Sequence, residues 1–256
     1  MKNNNFKYVQ KIILLLFFST KFAFAAPEEI QVYNDNKEAP GKISIDWHNN
    51  YNFSGRSKPS YAGEQAPNHM YRLTPEVNYG LTNTLESGFY LLTSRNANGD
   101  YDVDGFKARL KYIAPHSDQG IYYGLNFETG LQSLSVAPYS KNAELKMILG
   151  WNVDNWHIAA NLNTDGSFNS GSPDPTEDFD IKVNYQITKE TQIGIESYNQ
   201  LGTYNKPFQN FSSNSKAIYA VIDTNVAGHD LNFGIGHASD NPDDHWVAKF
   251  ILNTKF

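Results

Sequence analysis

The chain has 256 residues, of which 40% are hydrophobic and 14% aromatic; it contains no Cys and carries a formal charge of −6. The lack of Cys excludes disulfides, thiolate metal sites and a lipid-bearing N-terminal Cys, and the acidic balance argues against nucleic acid as a partner, because it repels phosphate. No stretch approaches about 18 continuous apolar residues, so nothing here crosses a bilayer as a helix.

Lys2, Lys7 and Lys11 precede an apolar run at residues 12–18, and Ala23-Phe24-Ala25 sets small residues two apart. That pattern predicts a secretory signal peptide over residues 1–25. It holds four of the 21 basic side chains and none of the 27 acids, so the exported chain falls to about −10. Residues 26–41, rich in Asn, Glu and Asp, read as a periplasmic lead-in or as the plug of a lumen.

From residue 42 onward the dominant pattern is period two, the signature of strands with one apolar and one wet face. Residues 42–53 set Ile43, Ile45, Trp47, Tyr51 and Phe53 against Lys42, Ser44, Asp46, His48, Asn50 and Asn52. Residues 70–79, 84–93, 104–114 and 120–132 continue the grammar, for example Phe106, Ala108, Leu110 and Tyr112 against Lys107, Arg109 and Lys111. Shorter runs follow at 142–149, 156–163, 178–187, 192–199 and 229–236. Residues 215–223 are ambiguous, since both parities are largely apolar. In residues 245–256, Trp246, Ala248, Phe250, Leu252 and Phe256 oppose His245, Lys249, Asn253 and Lys255. Pro75 removes a ladder hydrogen bond on the apolar parity, which predicts a bulge there.

The links alternate. Residues 54–69, 94–103, 133–141, 164–177, 200–214 and 237–244 are long and polar; 80–83, 115–119, 150–155, 188–191 and 224–228 are short. Long loops on one side and tight turns on the other, with an even count of about 12 strands, fit a closed antiparallel transmembrane β-barrel over residues 42–256. Both termini then lie in the periplasm, and the localisation expected is the cell outer membrane. A soluble sandwich or lipocalin-like barrel also alternates, but it would break the apolar face on its edge strands. A charge on a lipid face costs about 2–4 kcal/mol at mid-bilayer, so the scarcity of charge on that parity favours lipid. Outer-membrane lipid and lipopolysaccharide are the expected surroundings, with the barrel-assembly machinery as a partner through Phe256.

The wet parity of the first half is dense in charge: Arg72, Glu76, Glu86, Lys107, Arg109, Lys111, Glu128, Glu144 and Lys146. These residues either brace a narrow barrel with ion pairs or form a constriction whose field selects solutes. Twelve strands lie between filled small barrels and open porins, so both readings stand. Twelve-stranded channels for acidic sugars line their pores with arginine tracks, whereas this chain has only Arg56, Arg72, Arg95 and Arg109.

Tyr71-Arg72-Leu73-Thr74-Pro75-Glu76, Tyr79-Gly80-Leu81-Thr82 and Glu86-Ser87-Gly88-Phe89-Tyr90-Leu91, with Asn232-Phe233-Gly234-Ile235-Gly236, carry a family resemblance. They resemble segments of poorly characterised proteobacterial outer-membrane barrels, porin-like proteins grouped with the MetA-pathway phenol-degradation barrels. The resemblance covers residues 42–256 and implies a barrel with a transport role.

Catalysis would need a nucleophile, a His base and an orienting group brought together. His48 beside Asp46, His69, His157 near Asn161, and His245 near Asp243 and Asp244 are the candidate bases, but none sits in a G-x-S-x-G setting. Asp165, Asp174, Glu177 and Asp178 crowd one long loop and Asp240, Asp243 and Asp244 another. Lacking EF-hand spacing, they read as a solvated acidic rim rather than a Ca²⁺ site. The expectation is a passive, porin-like channel for small solutes, with no catalytic residue, metal or cofactor. The alternatives are a closed structural or surface-interaction barrel and, third, a lipid-modifying enzyme.

Overall fold

The computed structural model describes residues 28–212, 214–239 and 244–256. The expected signal peptide lies outside the described residues, as do Asp240 and Asp243 of the sixth long loop.

Thirteen strands form one sheet. In chain order they are β1 (Ile43–Gly55), β2 (Tyr71–Gly80), β3 (Leu85–Arg95), β4 (Tyr101–Ile113), β5 (Gly120–Gln132) and β6 (Lys141–Val153). Then come β7 (Trp156–Ser167), β8 (Thr176–Gln186), β9 (Thr191–Thr203), β10 (Lys206–Pro207), β11 (Lys216–Val226), β12 (His229–Ser239) and β13 (Asp244–Lys255). β10 is a two-residue return pairing only with β9. The other twelve pair antiparallel with both neighbours, and β13 against β1 closes the ring, with Trp47 opposite Leu252. Closure leaves no unpaired edge, which an open sheet could not offer inside hydrocarbon.

The two parities sort as a membrane requires. On β5, Leu125 and Phe127 are 47% and 48% exposed, while Asn126 and Glu128, which alternate with them, are at 0% and 2%. Large apolar side chains stand on the outside of nearly every strand and the charges turn inward, the inverse of a soluble core. Replacing Leu125 by Arg is therefore expected to cost about 2–4 kcal/mol of folding free energy in lipid vesicles, read from reversible denaturant titration. A cost near zero would mean that this face is not in hydrocarbon.

The ambiguous strand resolves into a local exception. Ile218 and Ile222 of β11 face outward, while Tyr219 and Val221 turn inward and pack with Val247 of β13, with Ile30, Tyr198 and Ala217 against them. Both parities are apolar there because one covers the barrel and the other lines a patch inside it.

Three expectations need correction. Pro75 makes no bulge: β2 and β3 keep one register from Leu73–Thr93 to Glu76–Tyr90. The Thr93 hydroxyl donates to the Leu73 carbonyl at 2.6 Å, so the side chain compensates beside the gap. The second long link contracts to residues 96–100, because β3 and β4 run on to Arg95 and Tyr101. The Asn96 side chain ties this turn by accepting from the backbone N–H groups of Asn98 and Asp100. The fourth link contracts as well, to residues 168–175, so Asp165 stands on β7 and Glu177 on β8, and with Asp178 they sit on strand ends rather than on a solvated rim.

Candidate functional site

The lumen is occupied along its length by residues 28–40. Pro40 bridges Gly80 at the end of the short turns, and Glu28 accepts from Gln132 Nε2 at 2.8 Å towards the other end. The segment has no helix or strand of its own, so its backbone groups depend on the wall for partners. The Asn161 side chain supplies them at Tyr33, accepting its N–H at 2.7 Å and donating to its carbonyl at 2.9 Å. Asn50 Nδ2 donates to the Glu28 carbonyl at 3.0 Å, and Lys249 Nζ to that of Ile30 at 3.0 Å. Each bond contributes on the order of 1 kcal/mol, and together they place the segment against many sides of the barrel.

Tyr33 is the centre of this arrangement. Its hydroxyl oxygen lies 2.5 Å from Glu29 Oε1, 2.8 Å from the Tyr90 hydroxyl and 3.1 Å from Glu128 Oε1. Lys146 Nζ sits 4.1 Å from the ring centroid, with Lys111 at 5.5 Å and the Arg109 guanidinium at 5.6 Å. Cations over an aromatic face contribute about 0.5–2 kcal/mol where they are desolvated.

All nine charged residues expected in the bore face inward and are buried. They separate into groups. Arg109 bridges Glu76 and Glu86, the latter at 2.8 Å, and Lys111 adds to Glu86 at 2.9 Å. Arg109 reaches Glu76 across β3 only because Gly88 lies between them: a Cβ there would stand 2.5 Å from Glu76 Oε1 and 2.7 Å from Arg109 Nε. Lys107 turns instead to Glu28 of the N-terminal segment at 2.6 Å, with Glu128 at 3.9 Å. Lys146 pairs with Glu144 at 3.1 Å. Arg72 is buried as well.

Sequence reasoning missed a second network on the far wall. Glu196 is held by Lys182 at 3.1 Å, by Lys249 and by the Tyr198 hydroxyl at 2.5 Å, while Lys182 also takes Asp223 at 2.6 Å. Each of these residues sits on the wet parity, but the meeting of β8, β9, β11 and β13 has no signal along the chain. Lys249 reaches Glu196 by laying its stem over Gly234, where a Cβ would come within 3.0 Å. Near the long-loop end, Glu144, Asp165, Asp178 and Asp180 line one arc of β6, β7 and β8. The candidate bases are scattered. His48 pairs with Glu76 rather than Asp46, His69 faces the Tyr51 hydroxyl at 3.4 Å, and His157 faces Asn152 at 3.1 Å.

A vestibule of about 1140 Å³ occupies the short-turn half of the bore and ends at the row formed by Glu76, Arg109 and Glu86. At the opposite end, Arg56 and Glu64 form an ion pair of 2.7 Å in the first long loop. Burial raises the Glu64 carboxyl, but Arg56 and the N–H and hydroxyl of Ser60 outweigh it and hold its pKa below the ordinary 4.5. A lowered carboxylate pKa means the loop's stabilisation is complete above the ordinary value and disappears as pH falls through the lowered one. A half-buried pair at the surface, still screened by solvent, is worth on the order of 1 kcal/mol. Amide exchange at Ser60, corrected for intrinsic rate, is expected to accelerate modestly at acid pH in the native chain and to be already fast in Glu64→Gln.

No known family profile matches the chain, and no curated protein sequence matches it significantly. Solved structures do. The COG4313 outer membrane channel from Pseudomonas putida F1 superposes with a TM-score of 0.61 at 11% identity, covering 89% of this chain and 100% of the other. The KdgM porin gives 0.55 at 11% identity over 83% and 99%, and the NanC porin 0.52 at 12% over 82% and 97%. At such identities the likeness is one of fold, a closed antiparallel barrel of 12 strands.

Proposed function

We propose that the protein is an outer-membrane channel for small solutes in which residues 28–40 act as an internal plug. The carrying observation is a charged, water-compatible lumen filled by a separable stretch of chain rather than by wall side chains alone. A purely structural barrel gains little from a vestibule of about 1140 Å³ ending at a row of interlocked charges, whereas a channel needs both an approach and a barrier. The similarity in fold to the COG4313 channel and the two porins supports the same reading, as does the transport role implied by the resemblance to the MetA-pathway barrels.

The field at the barrier would come from Lys107, Arg109 and Lys111 against Glu76, Glu86 and Glu128, and farther along from the acidic arc at Glu144, Asp165, Asp178 and Asp180. Replacing Lys107 and Lys111 by Gln, with Arg109 kept to hold Glu76 and Glu86, is expected to shift reversal potentials in a salt gradient towards cations. Unchanged reversal potentials would remove these lysines from the permeation path. Absence of conductance steps from both the intact chain and one lacking residues 28–39 would sink the channel itself.

A further inference from the structure

Where the N-terminal segment crosses the lumen, Glu29 meets two wall residues, His48 of β1 and Glu76 of β2. One ligand-capable atom from each lies within 4.8 Å of the other two. His48 Nε2 stands 3.2 Å from Glu76 Oε2, and both side chains are buried. Arg109 takes the other oxygen of Glu76, which leaves Oε2 turned towards the imidazole. Beside them the hydroxyl of Thr74, which is fully buried and lies directly opposite His48 in the β1–β2 register, has no hydrogen-bond partner. Buried polar atoms are almost always paired, so an unpartnered hydroxyl next to three ligand-capable groups favours a ligand that would engage it.

We infer that Glu29, His48 and Glu76 form a binding site for a divalent transition-metal ion of the zinc type, which fastens the N-terminal segment to the barrel wall. One imidazole nitrogen and two carboxylate oxygens are a zinc donor set, with bonds of about 2.0–2.2 Å. Ligand atoms around a tetrahedral ion of that size sit about 3.4 Å apart, so side-chain shifts on the order of 1 Å close the site. A fourth position is left for water, within the neighbourhood of the Thr74 hydroxyl. The Tyr33 hydroxyl, 2.5 Å from Glu29 Oε1, would orient that carboxylate as outer groups do in metal sites. Calcium and magnesium are disfavoured, because they take six or more oxygens and little nitrogen. The ligands come from the segment and from two adjacent strands, so metal binding and seating of the segment are one event.

Binding is independent of the channel reading; its consequence for current rests on it. The mature chain, refolded in detergent, is equilibrated with Zn²⁺ alone, and metal content and thermal midpoint are measured. The expected result is one zinc per chain with a raised midpoint, and at least about tenfold weaker binding in Glu29→Gln and in His48→Gln. Glu29→Gln changes no wall residue, and heat-modifiable gel mobility confirms that each variant is folded. No stoichiometric zinc in the native chain, or equal binding by a Glu29→Gln/His48→Gln double variant, overturns the site. In planar bilayers, Zn²⁺ is expected to suppress openings in the native chain and not in Glu29→Gln. Stoichiometric zinc lost in both variants, without current from any form of the chain, upholds the metal site and removes the channel.

Discussion

A chain lacking residues 28–39 is expected to show single-channel conductance several-fold above that of the undeleted protein, with the same heat-modifiable gel shift. The segment threads the full wet interior, so its removal exchanges protein for water along the axis. The partners it leaves behind are suited to hydration. Asn161, Asn50, Gln132 and Lys107 would trade one hydrogen bond or ion pair for water rather than be stranded in a dry interior. A milder form of the experiment is Tyr33→Ala. It deletes the ring beneath Lys146 and the hydroxyl at Glu29, Tyr90 and Glu128 while sparing the backbone bonds to Asn161. Expected there is intermittent opening between the intact and deleted levels. Equal conductance of all three forms would show that the segment does not control the bore.

The largest stability effect is expected at Glu196. Its side chain and that of Lys249 are both inaccessible to solvent, and Lys182 at 3.1 Å is nearly so. Truncation to Ala leaves Lys182 with Asp223 and strands the buried Lys249 ammonium on the Ile30 carbonyl and the Tyr198 hydroxyl. Breaking a buried ion pair from one side costs about 3–5 kcal/mol, mostly for the stranded charge. Reversible urea titration in lipid vesicles should show a loss of that order for Glu196→Ala. Combining it with Lys249→Met removes one stranded charge and should recover part of the loss. A change below about 1 kcal/mol for the single variant would mean that water enters this wall freely.

What was readable along the chain, and what was not, divides at particular residues. Leu125, Asn126, Phe127 and Glu128 announce their faces by alternation alone, since the pleat sends successive side chains to opposite sides. The same rule predicted that Arg72, Glu76, Glu86, Lys107, Arg109, Lys111, Glu128, Glu144 and Lys146 face one way, and they do. It could not tell that Lys107 turns to Glu28 while Arg109, two residues on, turns to Glu76 across Gly88. The His48 side chain faces the lumen as its parity requires, yet its partner is two positions along the neighbouring strand rather than Asp46 on its own. Asp165 and Glu177 looked like loop residues because strand ends carry no apolar partner once they project beyond the hydrocarbon band.

Sequence by itself determined the barrel: about twelve strands, alternating everywhere but at residues 215–223, an apolar exterior, a charged interior and connections that differ in length between the two ends. These are local properties, set within ten or so residues by backbone pleat and by the cost of polar groups in lipid. Only the tertiary structure decided what fills the interior. Residues 28–40 have no periodicity to announce them, and their place depends on donors and acceptors that seven different strands deliver to one axis. Which cation meets which carboxylate depends on register and curvature summed around a closed ring, a quantity that no stretch of chain contains.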